Sequence, residues 1–312
     1  MRLKNWAKRH LLICIFVALL LGLAIAEASA RLLLGLGTPP LSITDPAIEY
    51  MFAPNQDVSR FGNRQLYNEY GMRSPSLRDV DHGRRILVLG DSVINGGNLT
   101  DHQDLATTLA TDEGTFYGNV SAGMWGPANM RGWLERFGLL GSDTVILVLN
   151  SDDLNDVPTF SPLDPQTHPK VRPTSALLEG IQKYLPLYLP LAMGKIIQPH
   201  QNQITDQRPS ASEGSDEITK LIDRVRRDGA KLCLIQHLTL QELRSAPLPE
   251  YKAIRDIFLD RQVPVLNFGN ALKDAIGAGE KPFRDALHIS EFGQTLLVGY
   301  LKRCAGLAKI PT

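Results

Sequence analysis

A three-layer α/β sandwich, with a parallel sheet of five strands held between two layers of helices, is the fold this 312-residue sequence predicts. Two observations carry the prediction. From Arg84 onward, short apolar runs alternate with longer amphipathic stretches, the pattern of strands buried on both faces and joined through helices. The first run, Ile86 to Leu89, stops abruptly at Gly90-Asp91-Ser92, and open parallel sheets collect their chemistry just beyond such strand ends. Five strands joined by right-handed crossovers give a flavodoxin-like sheet.

Taken in order, the chain begins with a basic stretch holding Arg2, Lys4, Lys8 and Arg9. Leu11 to Ala26 then runs sixteen residues without a charge before Glu27. Extended to Ala30 the run is about 20 residues, or ~30 Å of helix, enough to cross a bilayer. The basic flank predicts a cytoplasmic tail over 1–10 and an anchor over 11–30, with everything after it on the far side. Ala28-Ser29-Ala30 also fits a signal-peptidase site, so a cleaved signal peptide is the alternative. The apolar run Leu32 to Leu36, continuing directly afterwards, favours the anchor, and no lipobox precedes Cys14.

Residues 31–83 read as a stalk and N-terminal extension, polar and rich in Pro and Asn, with a short strand and turn at Tyr67 to Arg73. The main domain is 84–312. Its strands are expected at Ile86–Leu89, Thr115–Val120, Thr144–Leu149, Lys231–Gln236 and Val263–Asn267. Helices are expected at Leu105–Thr111, Ala128–Leu139, Glu217–Arg227, Tyr251–Leu259 and Glu291–Leu307. In the last of these, Phe292, Leu296, Tyr300, Cys304 and Leu307 follow helical spacing and should form the buried face. A proline-rich insertion at 157–212 interrupts the alternation, with an apolar stretch at Leu177 to Leu191 broken by Pro186 and Pro190. A connection of that length either packs on the core or serves as a lid or membrane-facing surface.

Composition narrows the function. Formal net charge is zero, which argues against a nucleic-acid partner held by bulk electrostatics. Three cysteines make no disulfide framework; Cys233 is expected as a buried thiol in its strand, with a Cys233–Cys304 bridge left open. No His, Cys and carboxylate grouping has metal-ligand spacing, and no phosphate-binding glycine loop is present, so neither metal nor cofactor is implied.

Ser92 stands where a nucleophile belongs, and Asp285 and His288, three residues apart near the C-terminus, could supply base and orienter from one segment. A serine hydroxyl attacks poorly until an imidazole takes its proton, and the imidazole works best when a carboxylate fixes its tautomer. Gly90-Asp91-Ser92 after the first strand, followed at the far end by Asp285-x-x-His288, resembles the SGNH (GDSL-like) hydrolase family over roughly residues 84–308. The resemblance implies an SGNH hydrolase fold and a Ser92–His288–Asp285 triad. It also implies an oxyanion hole built from the backbone amides of Ser92 and Gly123. The family's third donor is the Asn of Gly-x-Asn-Asp; this chain has Asn150-Ser151-Asp152-Asp153, so a carboxylate, Asp152, holds that position. An ionised Asp152 would repel an oxyanion, so Asp152 is protonated, Asn150 or Asn155 replaces it, or the donor is missing.

Other candidates are the run Val93 to Asn98 as pocket wall, Trp125 as a stacking surface for a sugar ring or a core residue, Asn150 as a substrate contact, and His237 as a substrate contact or a satisfied loop histidine. The segment before Arg84 resembles the lead-in of membrane-anchored family members associated with bacterial exopolysaccharides. The expected activity is that of a serine esterase on O-acetyl or other ester groups of a carbohydrate outside the cytoplasm. The alternatives are O-acetyl transfer to an exopolysaccharide and a non-catalytic polysaccharide-binding component.

Overall fold

The computed structural model describes residues 2–79, 83–185 and 211–307. Helix α1 (Arg2–Leu34) comes first, and Leu11 to Ala24 along it are exposed. Its portion His10–Leu34, in which an 18-residue window reaches a mean hydropathy of 2.7, is long and apolar enough to cross a membrane. Two antiparallel hairpins follow, β1 (Ser42–Asp45) with β2 (Glu49–Phe52) and β3 (Gln56–Arg60) with β4 (Asn63–Tyr67). The 31–83 segment is thus more ordered than a plain stalk, and Tyr67 ends a strand instead of beginning one. Phe61 and Gly62, at the tight β3–β4 turn, both adopt positive φ (51° and 84°), as a two-residue hairpin turn of the favoured hand requires.

The main sheet comprises β5 (Arg84–Gly90), β6 (Thr115–Ser121), β7 (Thr144–Leu149), β8 (Lys231–Gln236) and β9 (Val265–Asn267), all parallel, in the order β6-β5-β7-β8-β9. That is the flavodoxin-like order, and its switch point lies between the neighbouring strands β5 and β7. Successive residues of a strand point to opposite faces, which explains the unbroken apolar runs. Leu87 and Leu89 join a core against α4 (Pro127–Phe137), α6 (Ala211–Arg227) and α8 (Pro249–Asp260). Ile86 and Val88 join a second core under α2 (Ser92–Asn95), α3 (Ala106–Ala110), α9 (Gly269–Gly277) and α10 (Glu291–Leu307). Two short helices complete the set, α5 (Ala176–Glu179) in the insertion and α7 (Leu240–Arg244) after β8.

Three expectations need correction. The buried face of α10 is formed by Gly293, Gln294, Leu297, Leu301, Cys304 and Ala305, while Phe292 is 39% exposed. Gln294, fully buried, accepts from Ala106 N–H and donates to the Val93 carbonyl, so a purely apolar reading of the helix misplaced its inner face. Cys233 is no free thiol: it pairs with Cys304, their Cα atoms 5.8 Å apart, and ties α10 to β8. Strand β9 begins at Val265, because Val263 N–H is spent on Phe258 O at the end of α8 and Pro264 has no N–H to give. Of the apolar stretch in the insertion, Pro186 to Leu191 lies outside the described residues.

Candidate active site

The sharp turn after β5 presents Ser92. Gly90 is needed there, since a Cβ would meet Val148 O at 2.9 Å and the Ile94 side chain at 3.0 Å. Asp91 caps α2 by accepting from Val93 N–H (2.8 Å), and its second oxygen accepts from the Asn150 side-chain amide (3.0 Å). On the opposite side of the cleft, residues 282–290 form a closed loop. Arg284 N–H bonds His288 O, Ser290 N–H bonds Pro282 O, and Phe283 pairs with Ile289.

That loop brings the three distant residues together. His288 Nε2 lies 2.9 Å from Ser92 Oγ, and His288 Nδ1 lies 2.7 Å from Asp285 Oδ2. The other carboxylate oxygen of Asp285 accepts the backbone N–H groups of His288 (2.7 Å) and Leu287 (2.9 Å). Partial burial works against a charge on Asp285, but these amides and the His288 ring outweigh it and hold the carboxyl below its ordinary value. An ionised Asp285 keeps a proton on Nδ1 and leaves Nε2 with the lone pair facing the serine. Ser92, His288 and Asp285 are all partly solvent-accessible, as groups that meet a substrate must be.

Two backbone donors lie just past the carboxyl ends of β5 and β6. Ser92 N–H opens α2, where a helix has no internal acceptor for it, and among the described residues neither it nor Gly123 N–H bonds a protein acceptor. Gly123 follows β6, and its carbonyl receives the hydroxyl of the buried Tyr50. That bond fixes the peptide plane following Gly123, and a Cβ at Gly123 would meet only Tyr50 Oη, at 3.7 Å.

The remaining sequence candidates fare differently. Trp125 is 2% exposed and donates Nε1–H to Tyr50 O (3.0 Å); it is core, with no ring face for a sugar. Asn150 is buried with its amide on Asp91 and its oxygen accepting Asp152 N–H, so it braces the turn instead of touching substrate. The Asp152 side chain is exposed. His237 is fully buried, with Nε2 bonded to Leu287 O (2.9 Å), which makes it a support for the loop carrying His288. Burial pushes its imidazole down to about 4, so it is neutral and donates Nε2–H to that carbonyl. Of the run Val93 to Asn98 after the nucleophile, Val93 to Gly96 are buried, Asn95 donating to Ser121 O (2.9 Å), and Gly97 is exposed.

Sequence reasoning missed Arg73 entirely. Fully buried, it donates to the carbonyls of Asn95, Gly97 (2.6 Å) and Thr100 (2.6 Å), pinning the loop behind Ser92 from the N-terminal segment. An arginine in a polar lead-in gives no local signal of such a task. A group of carboxyls behind the turn was missed as well. Burial raises Asp91 to about 6 and Asp156 to about 7, and burial beside Asp91 pushes Asp153 well above its ordinary value. Asp153 accepts Asn150 N–H (2.6 Å) and so closes the turn after β7.

No family model matches the chain, and no curated protein matches it. Solved structures are similar in outline. A member of the lipolytic protein G-D-S-L family from Veillonella parvula shares 11% identity over 70% of this chain and 97% of its own, with a TM-score of 0.46. An acetylxylan esterase from Geobacillus stearothermophilus, in a catalytic mutant form, shares 12% over 73% and 96% with a TM-score of 0.44. An alpha/beta hydrolase from the metagenome of Lake Arreo, Spain, shares 12% over 74% and 99% with a TM-score of 0.48. Every one of these scores lies below 0.5, and the chemistry assigned to this chain rests on its own residues.

Proposed function

We propose that the chain is a serine esterase that removes O-acyl groups, O-acetyl above all, from a carbohydrate outside the cytoplasm. The observation that carries the reading is the continuous relay from Ser92 Oγ through His288 to Asp285, and among the described residues the amides of Ser92 and Gly123 bond no protein acceptor. Ser92 attacks the acyl carbon while His288 Nε2 takes its proton. The amides of Ser92 and Gly123 receive the oxyanion, and His288 returns the proton to the departing sugar oxygen. Water, deprotonated by His288, then frees the acyl group. A sugar hydroxyl entering in place of water would make the same residues an O-acetyltransferase.

The third oxyanion donor is where this site differs from the family it resembles. Asn150 has given its amide to Asp91, and Asp152 offers a carboxylate at the surface. Loss of one donor costs about 10²–10³ in rate, so slow turnover is expected. The apolar span of α1 and the Cys233–Cys304 pair both support placement beyond a membrane, since oxidising compartments are where such pairs persist. Aryl-acetate hydrolysis by the full chain in detergent, beside Ser92→Ala, tests the reading: activity should disappear with the hydroxyl. Equal and negligible rates from two folded proteins would point instead to a polysaccharide-binding component. Asp152→Asn should raise turnover; a fall would give Asp152 a role of its own.

A further inference from the structure

The charge-free part of α1 is short. Leu11 to Ala26 is sixteen residues, ~24 Å at 1.5 Å each, against ~30 Å of bilayer hydrocarbon. A span this short brings the level of Glu27 and Arg31 down to the lipid boundary. At that level a second element is fixed to the helix. Glu27 accepts the Ser175 hydroxyl (2.9 Å) and the N–H groups of Ala176 (2.9 Å) and Leu177 (3.0 Å), capping α5. Arg31 bonds both Glu27 (2.7 Å) and Thr174 O (2.9 Å). Ala30, Leu36 and Ala176 form a small core between the two elements. Farther along, Glu179 holds the buried Arg60 (2.6 Å) and Gly37 N–H, and Tyr184 Oη accepts from the same guanidinium (2.8 Å).

Held this way, the helical run Ala176 to Leu185 turns one apolar row outward. Leu178, Ile181 and Leu185 are 49%, 54% and 43% exposed, at spacings of three and four. Val171 just before it is 77% exposed, and Leu32 and Leu33 on α1 are 84% and 73% exposed. Lys170 and Arg172, both exposed, flank Val171. An apolar row bordered by basic side chains next to the exit of a membrane helix is the chemistry of an interfacial element.

We propose that residues 170–185 form a foot that rests in the headgroup boundary of the bilayer that α1 crosses. Val171, Leu178, Ile181 and Leu185 enter the acyl edge, and Lys170 and Arg172 meet lipid phosphates. The foot rests on the reading of α1 as a span, and it fixes the height of the catalytic domain. The hairpin β3–β4 joins the two: Phe61 N–H bonds Leu34 O (2.9 Å), and Asn63 bonds Asn98 O (3.1 Å) in the loop behind Ser92.

The test uses the full chain in vesicles of phosphatidylcholine mixed with phosphatidylglycerol. Cys14, the free cysteine in α1, carries a nitroxide label as reporter of the span. In a Cys14→Ser background, labels are placed singly through Leu178→Cys, Ile181→Cys and Leu185→Cys, with Leu248→Cys as an aqueous reference, all at exposed positions. Relaxation by oxygen is compared with relaxation by a water-soluble nickel complex. The foot predicts that the three insertion labels are oxygen-dominated, like Cys14, and several-fold shielded from nickel relative to position 248. A lipid-buried Cys14 with insertion labels as nickel-accessible as position 248 overturns the foot and leaves the span standing. A nickel-accessible Cys14 overturns the span and the foot together.

Discussion

Asp285→Asn should damage the protein more than Asp285→Ala, although asparagine is the closer mimic. Oδ1 of Asp285 sits between two backbone donors, Leu287 N–H and His288 N–H, at 2.9 and 2.7 Å. Only an oxygen can occupy that place, so the side-chain amide of an asparagine has no freedom to flip. Its nitrogen falls 2.7 Å from His288 Nδ1 and offers a hydrogen there. The imidazole must answer with a lone pair on Nδ1 and carry its proton on Nε2, the atom 2.9 Å from Ser92 Oγ. A base already protonated at that nitrogen cannot take the serine proton, and a tautomer locked in this way costs about 10⁴ in kcat. Alanine instead removes the charge-assisted bond to the imidazole, about 1.5–3 kcal/mol or roughly 10–200-fold in rate, together with the two backbone bonds to Oδ1. Water can partly replace the carboxylate, whose side chain is 49% exposed. Aryl-acetate kcat/KM should therefore rank wild type, then Asp285→Ala, then Asp285→Asn. Asparagine equal to or better than alanine, in folded proteins, would refute the assignment of His288 as the base.

Three further outcomes follow from the structure. Cys304→Ser opens a loop of sequence separation 71 and should cost about 4 kcal/mol of stability, read as a lower urea midpoint that reductant does not lower further. Asp156→Asn should change the pH dependence of stability. The folded carboxyl holds its proton to about 7, against an ordinary 3.8, so its favourable contribution is complete below about pH 4 and lost as pH rises through 7. The variant's melting advantage over wild type should grow across that window, to at most about 4 kcal/mol, and an advantage independent of pH would contradict the burial of Asp156. Arg73→Met strips the donor from the buried carbonyls of Asn95 and Thr100, at ~1–3 kcal/mol each, and from the half-buried one of Gly97, and should unfold the loop behind Ser92, with Arg73→Lys restoring only part of the stability in thermal melts.

Much of this arrangement was legible in the sequence because the sheet strands are continuous apolar runs ended by glycine or polar residues. Thr144–Leu149 and Lys231–Gln236 are strands with the very bounds their composition suggests. Ser92, Asp285 and His288 were legible for a different reason: each sits where a strand or loop end must deliver it. The hairpins were not, since β3 reads Gln-Asp-Val-Ser-Arg with a single apolar residue and owes its pairing to the turn at Phe61-Gly62. Arg73 and Gln294 escaped because polar side chains buried for support have partners far away in the chain, and local composition records nothing of them. The Cys233–Cys304 pair belongs to the same class, joining elements 71 residues apart.

The sequence separation of 196 from Ser92 to His288 also has a meaning in time. At roughly 5–20 residues per second, a ribosome makes the serine about 10–40 s before the histidine. Throughout that interval the hydroxyl has no base, and the strand that carries it still lacks β9 and α10. If the hydrolase reading holds, the nascent chain is chemically silent until its last elements are made. Reactivity then arrives last, with the loop and helix that close the fold.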